Sequence, residues 1–500
     1  MTNPLHPDRL DALPPDVVRP RYDRSRLRGG IVHLGIGAYH RAHQALITEA
    51  ALHAHPEDLR WGIVGVSLRR PDTRDALRAQ HNLYTVALRD ADPLGAPRET
   101  LQVVGAVIEV LVGPENPDAV LERIAHADAH VLTLTVTEKG YCREPSTGHL
   151  RLSDADIAHD LAPGCAPRSA IGVIVRGLER RRARDLDGLT LISCDNLPSN
   201  GDTLSRLVLE FAERVDPGLR DWIAAHCAFP NTMVDRIVPR TTDDDRARVA
   251  ARLGLHDAWP VVGEPPFAWV IEDRFAGPRP AWEAGGARFV DDAEPFEKLK
   301  LRMLNGAHSS IAYAGVMAGW PTVDAAIAQP VLRRFVDAML REEVAPTLAG
   351  SLAGVDLDAH RAELLRRFAN PALAHRTAQI AMDGSQKLPQ RLLSPLRERL
   401  AAGAPIERLA LAVALWLHHL RGVDESGRAI ALDDPLAPAL RALHAEVAQQ
   451  PDAVARAAAF TRFAPVFGDL ADAPRLVAAL APALEHLRTA GVAGTLAAFT

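Results

Sequence analysis

From Ile31 onward the chain alternates short apolar runs with amphipathic stretches. The runs Ile31–Leu34, Gly62–Val66, Leu83–Leu88, Leu101–Val112, His130–Val136 and Leu189–Ser193 have the length and β-branched content of buried strands. Between several of them, His40–His53, Thr73–Gln80, Pro117–His126 and Arg168–Arg184 repeat apolar residues at helical spacing. Strands alternating with helices predict a mostly parallel, doubly wound sheet. After about Asp291 the texture changes to Ala/Leu/Arg-rich segments such as Val331–Arg341, Ile406–Leu420 and Pro474–Ala490, which read as helices throughout. The expected architecture is α/β followed by all-α: a Rossmann-type domain over 1–288 and a mostly helical domain over 289–500, with the boundary between 280 and 295. Residues 1–29, rich in proline and arginine, read as an irregular lead-in.

Composition narrows the function classes. A chain of 500 residues is too long for one ordinary core. Its net charge of -6 offers no general attraction to nucleic acid or an anionic membrane. The first residues lack the basic and apolar regions of a signal peptide, and the longest apolar run, Leu409–Leu417, is too short to span a bilayer. Cys142, Cys165, Cys194 and Cys227 are scattered without metal-ligand spacing, so we expect free thiols in a reducing cytoplasm and no metal site.

Of 57 basic residues only four are lysines: Lys139, Lys298, Lys300 and Lys387. Lysine, unlike arginine, can lose its proton near neutral pH when its surroundings disfavour charge, so each merits attention.

The segment HLGIGAYHRAH sets Gly35 and Gly37 between a predicted strand and helix. The first glycine permits the tight turn and the second lets backbone approach a pyrophosphate, so the turn is a candidate dinucleotide site. His40 stands where the usual fingerprint has its third glycine, and with Arg41 it joins the candidate cofactor contacts. After the second strand Asp72 is placed to hold the ribose of NAD, whereas Arg69 or Arg70 would suit the 2′-phosphate of NADP; the cofactor is NAD with NADP left open.

The most telling stretch is PFEKLKLRMLNGAH. On a regular helix Glu297, Lys300, Asn305 and His308 fall within an arc of roughly 140°. A carboxylate, an amine, an amide and an imidazole on one stripe of an apolar segment suit the oxidation of an alcohol to a ketone. Lys300 is the candidate base if burial lowers its pKa from about 10.4. Asn305 is placed to bind the developing oxyanion, His308 to orient the hydroxyl, and Glu297 to pass the proton to solvent. The competing reading is an amphipathic surface helix with Lys300 in water. Asn196, just after the strand Leu189–Ser193, belongs at the carboxyl edge of the sheet, where ligands of such sheets collect. Lys387 and Arg391 could pair with a substrate carboxylate, although local sequence alone favours the competing reading of a helix–loop surface cluster. No lysine lies four residues after a tyrosine, which argues against short-chain dehydrogenase chemistry.

Seven collinear segments, IVHLGIGAYHRAHQA, LTVTEKGYC, SCDNLPSNG, FPNTMVDRIVP, EPPFAWVIEDRF, KLRMLNGAHS and MDGSQKLPQRLL, resemble the long-chain mannitol dehydrogenase family of polyol-specific dehydrogenases. The resemblance implies zinc-independent catalysis with Lys300 as acid/base, Asn196 and Asn305 as the oxyanion pair and Glu297 as a proton relay. It adds Asp235, Glu138, His308 and Lys387 as substrate-region residues and favours NAD through Asp72. TEKGYC and MDGSQKLPQRLL resemble the fructuronate-reducing branch, since the mannitol-oxidising branch typically has glycine at Lys139 and arginine at Gln379. Lys139, Lys387 and Arg391 would then face a uronate carboxylate. The expected partner is a small sugar acid or polyol, handled by a monomer, with a dimer also open. The alternatives are a mannitol or arabinitol 2-dehydrogenase and, more remotely, a dinucleotide-binding sensor without chemistry.

Overall fold

The computed structural model describes residues 3–91, 96–144, 147–352, 354–372 and 374–499, and these form two compact units that meet in sequence at Glu294 and Pro295. In the first unit five parallel strands run in the spatial order Val107–Val112, Ile63–Ser67, Ile31–Leu34, Val131–Leu134, Thr190–Ser193. Numbered along the chain this is the order 3-2-1-4-5 of a doubly wound sheet. Alternation along each strand splits the side chains between two cores. Val32, Leu34, Leu132 and Leu191 pack with Ile174, Leu178 and Phe211 on one face. Ile31, Val131 and Ile192 pack with Ile47, Leu52 and Trp269 on the other.

Two smaller sheets complete this unit. The run 101–112 divides into Pro97–Val104 and Val107–Val112, and the first pairs antiparallel with Tyr84–Ala91, which also takes Val261–Gly263. Thr232–Asp235, Ala268–Glu272 and Arg288–Val290 form the other. The predicted helix His40–His53 is divided into Ala38–Ala42 and Gln44–Ala54 at His43, whose ring stacks on Tyr39 and whose Nε2 lies 2.9 Å from the Ala268 carbonyl oxygen. A side chain anchored outside the helix is a sufficient cause for such a break.

The second unit is mostly helical and is built around one core that includes Met303, Ile311, Phe335, Leu392, Trp416 and Leu480. Its helices are less regular than their spacing predicts. Lys300–Asn305, Met339–Val344 and Pro389–Leu393 are π-helical, and the first packs against both others. The C-terminal helix Pro474–Ala498 is broken at Gly491, where φ is 67°. Among the described residues no helix is long and apolar enough to cross a membrane, and no group of three His, Cys, Asp or Glu side chains is placed to hold a metal.

Candidate active site

In the first unit the strand order reverses between Ile31–Leu34 and Val131–Leu134, and the turns beyond their carboxyl ends form the crevice where such sheets bind ligands. Gly35 has φ 93°, and a Cβ there would stand 2.1 Å from the Thr135 carbonyl oxygen, so only glycine fits against the neighbouring strand end. Gly37 is different. It caps the helix Ala38–Ala42 with φ −83°, and the nearest atom to a Cβ would be 3.8 Å away, so it leaves open space over an exposed turn. That opening fits a pyrophosphate drawn against the backbone. Asp72 is exposed at the start of the helix Asp72–Arg78, with Arg69 and Arg70 exposed just before it.

His40 and Arg41 are turned into the protein. His40 is fully buried and stacks on His33 at 3.4 Å, and Arg41 reaches the Trp259 carbonyl at 2.5 Å beside Tyr84. Their side chains therefore brace the turn from beneath. Burial pushes the His33 imidazole down to about 3 and that of His40 well below its ordinary range, so both are neutral at physiological pH.

Two strand ends and the short turn Glu138–Tyr141 are tied together by Asp195, which local sequence does not single out. Its carboxylate accepts hydrogen bonds from the Val136 and Thr137 amides at 2.9 and 3.0 Å and from the Tyr141 hydroxyl at 2.9 Å. Burial holds its carboxyl above the usual range. The adjacent Asn196 is exposed, as are Glu138 and Lys139 on the short turn Glu138–Tyr141, and Asp235 closes the strand Thr232–Asp235. Tyr39 lies close enough for the charges of Asp235 and Asp195 to raise its phenol further, beyond the effect of burial.

In the second unit the predicted stripe runs along Glu294–Leu299, the π-turn Lys300–Asn305 and the helix Gly306–Ala318. The π-turn changes its geometry. On an α-helix residues five apart differ by about 140°, whereas i→i+5 pairing brings them onto nearly one face. Lys300 and Asn305 therefore share a face. Asn305 is buried, and its Nδ2 has no hydrogen-bond acceptor among the described residues. A buried donor without an acceptor costs on the order of 1–3 kcal/mol, which makes Asn305 a candidate ligand contact.

His308 is buried against Phe368 at 4.7 Å and faces His375 at 6.0 Å. Burial, with the nearby His375, Arg391 and Arg367, pushes its imidazole well below the ordinary range. Arg391 Nη1 donates to Ser309 Oγ at 3.2 Å, which holds its charge beside that imidazole. Lys387 Nζ donates to the Met382 carbonyl at 2.6 Å, next to a cavity of about 390 Å³ lined by Arg376, Gln379, Met382 and His419 among others. Arg367, buried at the end of the helix Leu357–Phe368, is a second guanidinium near His308; nothing in its local sequence distinguishes it from the many surface arginines.

A sheet of this order, with its glycine turn at the point of reversal, defines a Rossmann-type oxidoreductase half joined in one chain to a helical unit. Residues 29–284 match the mannitol dehydrogenase Rossmann domain and residues 292–488 the mannitol dehydrogenase C-terminal domain. The chain belongs to the mannitol dehydrogenase family and is an oxidoreductase of that family. It is 45% identical over 435 residues to D-mannonate oxidoreductase of Escherichia coli, covering 86% of this chain and 88% of that protein. It is 39% identical over 491 residues to mannitol 2-dehydrogenase of Phaeosphaeria nodorum, covering 97% of this chain and 84% of the relative. Among solved structures, the mannitol 2-dehydrogenase of Pseudomonas fluorescens in ternary complex with NAD and D-mannitol superposes with a TM-score of 0.85 at 36% identity, covering 99% of each chain.

Proposed function

We propose that this enzyme interconverts D-fructuronate and D-mannonate, reducing the ketone with NADH and without a metal. The observation that carries the chemistry is the π-turn spanning Lys300 and Asn305, with a buried amide donor that lacks an acceptor among the described residues. When bound, NADH supplies the hydride that adds to the carbonyl carbon. Lys300 donates a proton to the carbonyl oxygen, and Asn305 Nδ2 donates a hydrogen bond to that oxygen as charge builds on it. Asn196, at its strand end, keeps the oxyanion-binding assignment that the family resemblance implies. His308, held neutral by burial, orients the hydroxyl that forms. Glu297, one turn before Lys300, restores the lysine's proton from solvent. In the reverse direction Lys300 accepts the hydroxyl proton, and the same groups act in the opposite order.

The sugar acid follows from charge. Arg391 is fastened beside His308 through Ser309, and Lys387 and Lys139 are two of only four lysines in the chain. A carboxylate is the natural counter-charge for such cations. The 45% identity to a D-mannonate oxidoreductase supports the same reading, and the reading places the enzyme in the cytoplasm. A second reading, a mannitol or arabinitol 2-dehydrogenase, is supported by the 36%-identical D-mannitol complex that spans 99% of the chain.

The test is NADH oxidation with D-fructuronate, D-tagaturonate and D-fructose, each repeated with NADPH. We expect D-fructuronate with NADH to give the highest kcat/KM by at least tenfold. Preference for D-fructose would move the enzyme to the polyol reading, and preference for NADPH would reassign Arg69 or Arg70 to a 2′-phosphate.

A further inference from the structure

π-Helical turns are rare and survive only where surrounding contacts over-determine them. Among its described residues the helical unit has three, and the one bearing Lys300 and Asn305 packs against both others. One side chain joins all three. Arg302 lies two residues after Lys300, so it leaves the helix on the opposite side. Its guanidinium is almost fully buried, at 4% exposure. Nη1 donates to the Thr347 carbonyl at 2.9 Å, just beyond the π-turn Met339–Val344. Nη1 and Nη2 donate to the two Glu398 carboxylate oxygens at 2.8 and 2.5 Å, and Nη2 to Ser394 Oγ at 3.4 Å. Ser394 and Glu398 lie on the helix that follows the π-turn Pro389–Leu393. The backbones also meet closely, since a Cβ at Gly306 would stand 3.1 Å from the Arg391 carbonyl oxygen.

We infer that the Arg302–Glu398 pair is the positioning device of the active site: it locks the π-turn so that Lys300 and Asn305 stay on one face. Arg302 is a positioning residue and does not touch the reacting atoms. The planar fork matters, because two parallel bonds to one carboxylate fix orientation in a way a lysine ammonium cannot. If the pair is loosened, the helix relaxes toward α-geometry and turns Lys300 away from Asn305 by as much as about 140°. This inference rests on the acid/base role given to Lys300 above.

The test uses Arg302→Met, Arg302→Lys and Glu398→Gln in the full chain, under single-turnover conditions with NADH and whichever ketone the wild type reduces fastest. The amplitude then reports the fraction of competent enzyme and the rate constant reports the chemical step. A merely structural role lowers the amplitude alone. We expect the rate constant to fall at least tenfold in both Arg302 variants, and at least threefold in Glu398→Gln. A second readout does not use activity. With only four lysines, the ¹³Cε signal of Lys300 is assignable by NMR, and its titration midpoint should move by at least half a pH unit in Arg302→Lys. A rate constant within threefold of wild type in the soluble Arg302 variants, or an unmoved midpoint, overturns the inference. If Arg302→Met does not fold, Arg302→Lys and Glu398→Gln decide. Lys300→Arg keeps the charge but supplies no base near neutral pH, so it separates the two claims. Turnover of that variant within a few-fold of wild type removes the Lys300 mechanism itself, whereas its collapse beside normal Arg302 variants removes only the positioning role.

Discussion

Asn305 combines two properties that normally oppose each other: it is buried, and its amide nitrogen has no acceptor among the described residues. The fold bears that cost at the last residue of the π-turn, on the face of Lys300. Replacement by an apolar side chain of similar volume removes the unsatisfied donor, and such exchanges are close to neutral or stabilising. Loss of an oxyanion donor, by contrast, costs about 10²- to 10³-fold in turnover. Asn305→Leu is therefore expected to keep or raise the melting temperature while turnover falls by roughly that factor. Calorimetry and steady-state kinetics on one preparation check it. A lowered melting temperature with unchanged turnover would make Asn305 a packing residue. Glu297, Lys300, Asn305 and His308 stand out in the sequence because they fall on one arc of an otherwise apolar segment. Asp195, Arg302 and Arg367 do not, because a buried arginine or aspartate looks the same in sequence as an exposed one until its partners are known.

At the scale of elements, the two glycines of the turn carry separate duties. Gly35 is required by the fold: positive φ and the Thr135 carbonyl both exclude a side chain. Gly37 has ordinary φ and open space, so the fold tolerates a methyl group there and only a bound pyrophosphate would object. Gly35→Ala should lower the melting temperature by several degrees, whereas Gly37→Ala should leave it unchanged yet weaken NADH binding at least tenfold by fluorescence titration. Wild-type NADH affinity in Gly37→Ala would remove the pyrophosphate from this turn. Strand positions were legible from period-2 and continuous apolar runs, and most ends fall within a few residues of the spacing. The departures have local physical causes. His43 anchors outward and divides one helix, and the run 101–112 divides at Gly105 and Ala106, whose amides are captured by the buried Glu49 carboxylate at 2.7 and 2.8 Å. The π-turns were not legible, since nothing in hydrophobic spacing separates one inserted residue from a regular turn.

For the whole molecule, the change from glycine-bounded strands to Ala/Leu/Arg helices is enough to read two architectures in one chain, because parallel strands and buried helices need different periodicities. What periodicity does not reveal is how many histidines are enclosed, and that number governs stability against acid. Burial lowers His418 and His419 to about 4 and His33 to about 3, and it pushes His40 and His308 well below the ordinary value as well. The unfolded chain takes up protons on these imidazoles from pH about 6.5 downward, while the folded chain refuses them until near pH 4 or below. Their contribution is thus complete above pH about 6.5 and is lost progressively as pH falls toward the folded values, at up to about 1.4 kcal/mol per pH unit for each histidine. We expect the melting temperature to hold between pH 8 and 7 and to fall steeply between pH 6.5 and 4.5. Unfolding at pH 5.5 should take up several protons, measurable by calorimetry in buffers of different ionisation enthalpy. His418→Gln, which removes one of these partly buried titrating rings, should flatten that slope. A melting temperature independent of pH from 6.5 to 4.5, with no proton uptake on unfolding, would mean that these rings are hydrated in solution and that the neutral state assigned to His308 must be given up with them.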